Sequence, residues 1–141
     1  MKFLLAVDGS PYSVKAAEYL AAHLDLFKSQ PDLYLVNVHA PIASARVRSY
    51  VGKDALEKYY SEESDDALKP AGEVLKARGL RFETVKLVGD VAAEVTRKAD
   101  ELGCTMIVMG SHGHGNLGNL VMGSVATRVL AESKIPVLLI K

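Results

Sequence analysis

The residues best equipped for chemistry lie between Met109 and Ser124, in the run MGSHGHGNLGNLVMGS. It holds five glycines and two histidines, and no lysine, arginine, aspartate or glutamate. Such a run offers backbone N–H groups, two serine hydroxyls and two imidazoles, which suit the oxygens of a sugar or a phosphate. Gly113-His114-Gly115-Asn116-Leu117-Gly118 spells G-x-G-x-x-G, the hexamer of dinucleotide-binding loops. Its surroundings argue against that reading. The hexamer starts four residues past the preceding apolar run, and the next helical pattern begins near Ser124. About 20 residues beyond Gly118, where an acid would hold a ribose, the chain reads Val137-Leu138-Leu139. A Walker A loop is excluded too, because no Gly-Lys-Ser/Thr is present.

A different spacing remains: Gly110, two residues, Gly113, nine residues, then Gly123-Ser124. Gly110 and Gly113 would let backbone approach a sugar or phosphate without a Cβ in the way. Gly123-Ser124-Val125 would stand at a helix start, where free N–H groups and the helix dipole attract anions. A flexible surface loop is the plain alternative for the glycines. Asp8-Gly9-Ser10 forms a second candidate loop, in which Asp8 is either a ligand group or a simple turn former.

Elements able to position these loops follow from the apolar pattern. KFLLAV at 2–7 reads as a strand buried on both faces. Ser10 caps the next helix, and Pro11 fits its first turn. Ala16, Ala17, Leu20, Leu24 and Phe27 mark that helix's apolar stripe. A second strand covers 32–39. Residues 40–52 show no clean period and read as a long loop. A helical pattern runs from Lys53 to Arg78, with Pro70 expected to kink or split it and Gly79 to end it. Strands follow at 81–87, 104–109 and 136–140, with helices from Asp90 to about Leu102 and from Ser124 to Ser133. The alternation implies an α/β fold, a five-stranded parallel open sheet with helices on both faces, spanning 1–141 as one domain. In such sheets ligands bind beyond the carboxyl ends of the strands, where the order reverses. An order of 3-2-1-4-5 would set the two candidate loops across one crevice.

Composition narrows the classes. The chain has 141 residues, 49% hydrophobic and 24% charged, which suits a globular domain. Seventeen basic residues balance seventeen acids, so no bulk field draws in nucleic acid or anionic membrane. No run reads as a signal peptide or a membrane span. The single cysteine, Cys104, fits a reducing compartment and a buried core position. A cytoplasmic location is the expectation.

At the glycine spacing the sequence resembles the universal stress protein family, of the nucleotide-binding type, in which G-x2-G-x9-G-[S/T] marks ATP binding. The resemblance extends to Ala6-Val7-Asp8-Gly9-Ser10, to Val36-Asn37-Val38-His39, to Gly89-Asp90 and to Ile135-Pro136-Val137-Leu138-Leu139-Ile140. It implies a Rossmann-like fold of the adenine nucleotide alpha hydrolase type. It also implies roles: Ala6, Val7 and Asp8 near adenine and ribose, and the Val38 backbone at the adenine edge. Met109, Gly110 and Gly113 would lie at the ribose and inner phosphates, and Gly123, Ser124 and Val125 at the outer phosphates. The implied ligand is ATP, or AMP or ADP, with Mg²⁺. A homodimer through Val137, Leu138 and Leu139 is implied as well. That agrees with the bare apolar edge that the last strand would present in a 3-2-1-4-5 sheet.

Several other residues invite sharper readings. His39, His112 and His114 fall at strand ends on one side of the expected sheet; no acid or cysteine stands at metal-site spacing, so lining of a nucleotide site is preferred to a metal. Arg46, Arg48 and Tyr50 read either as a lid over phosphates or as solvated or dimer-contact positions. Tyr59 and Tyr60 read as core or interface. No general base for fast hydrolysis is evident, which leaves catalysis uncertain and at most slow. Two rivals stand beside nucleotide-dependent stress signalling: a hydrolase or nucleotidyl transferase using the same crevice, and a partner-binding scaffold with an empty pocket.

Overall fold

The computed structural model describes residues 1–115 and 121–141. Gly118, the last glycine of the apparent dinucleotide hexamer, lies outside the described residues with its neighbours from 116 to 120. Five parallel strands form one sheet: β1 (Lys2–Ala6), β2 (Asp32–His39), β3 (Phe82–Val88), β4 (Met106–Gly110) and β5 (Val137–Ile140). Their order is β3-β2-β1-β4-β5, the expected 3-2-1-4-5. The helices are α1 (Pro11–Ala22), α2 (Ala45–Val51), α3 (Lys53–Ala77), α4 (Val91–Leu102) and α5 (Ser124–Glu132).

Burial explains why the central strands read as continuous apolar runs. Phe3, Leu5, Leu33 and Leu35 face one way, onto Ala16, Ala17 and Leu20 of α1 and Leu68, Ala71 and Leu75 of α3. Leu4, Val36, Val38, Ile107 and Met109 face the other way, onto Ala92, Val95 and Ala99 of α4 and Ala126 and Val129 of α5. A sheet covered on both faces has no polar side to alternate with. Cys104 belongs to the second core but precedes β4, and its burial raises the thiol's pKa.

Two expectations for the middle of the chain are corrected. Residues 40–52 are not wholly loop, because α2 occupies Ala45–Val51. Ser44 caps it, its Oγ accepting from the Val47 N–H at 3.3 Å. No residue of α2 is buried, so the helix has no apolar stripe to announce it. Pro70 does not split α3, which runs through it from Lys53 to Ala77. Leu68, Ala71 and Leu75 are buried on both sides of the proline, and that packing carries the helix past a missing hydrogen bond. Gly79 follows the helix at φ +69°, as expected of a terminating glycine.

β5 pairs with β4 alone. Its backbone alternates, since Pro136 accepts from Ile107 N–H and Ile140 accepts from Ser111 N–H. By the two-residue period Leu138 also turns its N–H and C=O toward β4, whereas Val137 and Leu139 turn theirs to the open edge. Among the described residues no helix is long and apolar enough to cross a membrane.

Candidate functional site

β1 and β4 lie side by side at the point where the strand order reverses, so their following loops flank one crevice. A cavity of about 400 Å³ opens there. All ten residues singled out from the sequence line it: Ala6, Val7, Asp8, Val38, Met109, Gly110, Gly113, Gly123, Ser124 and Val125. Val36, Val91 and Val95 make one part of the wall apolar, and His112 and His114 join the glycine side.

The apolar end is opened by unequal strand lengths. β1 stops at Ala6 while β2 runs on to His39. The last rung between them is the Val7 N–H donating to the Val36 carbonyl at 2.9 Å. Two residues on, Val38 turns its own N–H and C=O to the same side, where β1 has already left the sheet. The Val7 carbonyl instead accepts from Asn37 Nδ2 at 2.8 Å. Asn37 is buried, and its Oδ1 has no hydrogen-bond partner. The side chain thus holds the strand end in place beside the gap.

Asp8 is fixed by a small network. Its Oδ1 accepts from the Ser10 N–H at 2.9 Å and from Ser13 Oγ at 2.8 Å, while Ser13 Oγ accepts from the Asp8 N–H at 2.9 Å. Oδ2 points across the crevice: a Cβ on Gly113 would sit 2.7 Å from it. Gly9, at φ +81°, makes the turn, and a Cβ there would come within 3.1 Å of the Ala67 backbone in α3. Ser13, buried in α1, went unremarked in the sequence, because a serine one turn into a helix reads as a neutral helix residue. Ser13→Ala is expected to cost about 1–3 kcal/mol of stability and to loosen Asp8; a denaturant titration showing no loss would contradict this network.

The glycines serve more than a ligand. Gly110 lines the cavity, yet a Cβ on it would fall 2.6 Å from Tyr12 Cβ and 2.9 Å from the Tyr12 carbonyl carbon. Its lack of a side chain lets the first turn of α1 close on the end of β4. Gly123, the residue before α5, would place a Cβ 3.2 Å from both His112 Cα and the Ser111 carbonyl, and its N–H donates to that carbonyl at 2.7 Å. Valine at Gly123 would therefore disturb the loop along with any ligand, so Ser124 is the better position to test. Ser124 and Val125 open α5 with their N–H groups facing no preceding turn.

The three histidines do not converge. His112 and His114 line the cavity; His39 packs on Tyr59 and Tyr60, with ring centroids 5.8 and 5.1 Å away, and its Nδ1 meets the Ala40 carbonyl. Among the described residues no group of three or more His, Cys, Asp or Glu is placed to hold a metal. Tyr60 is buried and its hydroxyl accepts from the Ile42 N–H, whereas Tyr59 is partly exposed. Arg46, Arg48 and Tyr50 lie on exposed α2 and do not line the cavity; Arg48 donates to the Ile42 carbonyl. Beside the main cavity lies a shallower hollow between Ala40, Gly89, Asp90 and Arg128. Asp90 caps α4 through the Ala93 N–H and takes two hydrogen bonds from Arg128 of α5, which hold its carboxyl below the usual value of 3.8.

The fold and the cavity define a doubly wound α/β protein with a crevice at its switch point. More particularly, the chain belongs to the universal stress protein family, whose model matches residues 1–141. Universal stress protein YxiE of Bacillus subtilis is 31% identical over 147 residues, an alignment covering 99% of this chain and 98% of that protein. The solved structure of MJ0577, a universal stress protein of Methanocaldococcus jannaschii, superposes with a TM-score of 0.81 at 25% identity, covering 99% of this chain and 94% of that one. A universal stress protein from Archaeoglobus fulgidus, solved in complex with dAMP, gives a TM-score of 0.70 at 25% identity, covering 100% and 98%.

Proposed function

We propose that the protein binds an adenine nucleotide in this crevice, as ATP with Mg²⁺ or as its products ADP and AMP, and acts as a nucleotide-dependent stress-response or signalling protein of the cytoplasm. The observation that carries the reading is the meeting of two unlike linings in one cavity. Val36, Val38, Val91 and Val95 give it an apolar wall for a flat base, with the N–H and C=O of Val38 turned to the side that β1 has left. Gly123, Ser124 and Val125 give it a helix N-terminus suited to phosphate. Asp8, on the same lining, would accept from ribose hydroxyls. The volume falls within the roughly 300–1,000 Å³ of small-ligand sites. The dAMP complex of the Archaeoglobus fulgidus relative supports the same ligand class.

Mg²⁺ would be held by phosphate oxygens and water, because Asp8 is the lone acid on the described lining. The reading is a binding protein with at most slow hydrolysis. The exposed backbone of Val137 and Leu139 supports a homodimer through β5, with Leu138 packed behind it.

Calorimetry tests the ligand. A site whose backbone reads the adenine edge is expected to favour ATP over GTP by at least about tenfold at equal Mg²⁺. Equal affinities would remove Val38 from its role, and absence of binding to either would overturn the reading. Mass spectrometry of the gently purified protein separates the rivals: carried ATP supports binding, ADP or AMP supports turnover, and an empty pocket supports a scaffold.

A further inference from the structure

The described lining of the cavity contains no lysine and no arginine. From Met109 to Thr127 the sequence has no residue of fixed charge. The next residue, Arg128, is engaged by Asp90 at 2.7 and 2.9 Å and by Glu132 at 3.0 Å. On the described lining a polyanion entering the crevice would therefore meet one carboxylate, Asp8, and two imidazoles, His112 and His114. Histidine is the side chain whose ordinary titration falls between about pH 5 and pH 8. We propose that His112 and His114 are the charge-sensing residues of the site, so that binding a nucleotide's phosphates takes up protons and tightens as pH falls. This rests on the nucleotide reading above and adds to it a specificity for phosphate charge governed by pH.

The geometry places both rings for that task. His112 Cα lies against Gly123, the residue before α5, and His112 lines the cavity that Gly123 and Ser124 also line. Its Nδ1 lies 2.8 Å from Ser111 Oγ, and its ring is stacked at a tilt 5.0 Å from Tyr12. His114 Nε2 lies 2.6 Å from the Asp8 carbonyl oxygen. A carbonyl only accepts, so Nε2 carries the hydrogen and Nδ1 is the nitrogen left to gain a proton. Protonation at Nδ1 keeps the Nε2–H bond, so the ring can charge without leaving its place.

Among the described residues the charged and titratable groups facing the pair come from few elements. From the β1–α1 side come the Asp8 carboxylate, Tyr12 and Lys15, whose Nζ sits 5.5 Å from the Tyr12 ring centroid on the exposed surface. β2 and α4 contribute only Val36, Val38, Val91 and Val95 to the described lining. The Asp90–Arg128 pair beyond them keeps its charge above pH 5, because Arg128 holds the Asp90 carboxyl below 3.8. His112 and His114 are thus the two imidazoles on the described lining. A phosphate within about 4–6 Å favours the imidazolium, and linkage requires the imidazolium to favour the phosphate equally.

The test measures ATP and adenosine binding by calorimetry between about pH 8 and about pH 5, with excess Mg²⁺, in buffers of different ionisation heat. It compares the wild type with a His112→Asn/His114→Gln variant, in which glutamine can still donate to the Asp8 carbonyl. The difference between the two proteins cancels protons taken up by the nucleotide itself. ATP affinity of the wild type is expected to rise about tenfold or more on acidification for each imidazole that charges, with measurable proton uptake. Adenosine, lacking phosphate, is expected to bind with little pH dependence, and the variant is expected to lose the excess rise. Should the double variant fail to fold, the single variants His112→Asn and His114→Gln supply the same difference from the wild type. Pocket binding of ATP with the same pH profile as adenosine, or as the variant, overturns the proposal and leaves the nucleotide reading standing. Failure of both ligands to bind at any pH overturns both.

Discussion

Replacing Ser124 with glutamate is expected to reduce nucleotide affinity at least about a hundredfold while leaving the melting temperature unchanged or slightly raised. The two halves of this result have different causes. Ser124 is the first residue of α5, and its helix has no acid in the first turn. A carboxylate there would interact favourably with the helix dipole, by about 0.3–1 kcal/mol. The same carboxylate would occupy the N–H groups meant for phosphate and repel the ligand's charge, a juxtaposition that costs several kcal/mol. The split between stability and affinity identifies the helix end as an anion site. A variant that binds ATP as tightly as the wild type would remove the phosphates from α5. Ser124→Ala, which deletes one hydroxyl, is expected to cost far less, in the range of about 0.5–1.5 kcal/mol for one hydrogen bond.

The second large effect concerns assembly. Wild-type protein is expected to run in light scattering at twice the 15.2 kDa of one chain, and Leu139→Pro at 15.2 kDa. Leu139 turns its N–H to the open edge of β5, so a proline there removes nothing from the β4 ladder, and edge strands tolerate it in that orientation. It would remove a donor from an antiparallel β5–β5 pairing and put a ring in the partner's way. Leu138→Pro makes the control. Its N–H faces β4, so the substitution is expected to damage the monomer itself. A monomeric wild type would refute the dimer, and a dimeric Leu139→Pro protein would refute pairing through this strand.

The strands and both candidate loops were legible because the central strands are buried on both faces and leave unbroken apolar runs. β1 and β4 ended in visible turn residues, Asp8-Gly9 and Gly110, and the order 3-2-1-4-5 that makes them neighbours was the arrangement that would bring the two loops together. What escaped had no pattern to betray it. α2 buries nothing, so its sequence carries no period. Pro70 broke a local rule that Leu68, Ala71 and Leu75 overrode through long-range packing. Ser13 acts through two hydrogen bonds with Asp8 and Asn37 through one to Val7, and such side-chain partners cannot be read from residue type. His39 shared a sheet end with His112 and His114 yet turned to Tyr59 and Tyr60, because strand position does not decide where a side chain points.

The contact between Gly110 and Tyr12 bears on what a motif records. The glycine that opens the G-x2-G-x9-G-[S/T] spacing is required where a helix closes on a strand, whether or not anything occupies the crevice. Selection on the fold alone would preserve it in descendants that have lost their ligand. Gly113, opposite the Asp8 carboxylate, and Ser124, at the mouth of α5, have no such second employment among the contacts described. In this lineage the loss of binding would therefore show first as substitutions at the second glycine and the closing serine of the spacing, while the first glycine stands as a fossil of packing.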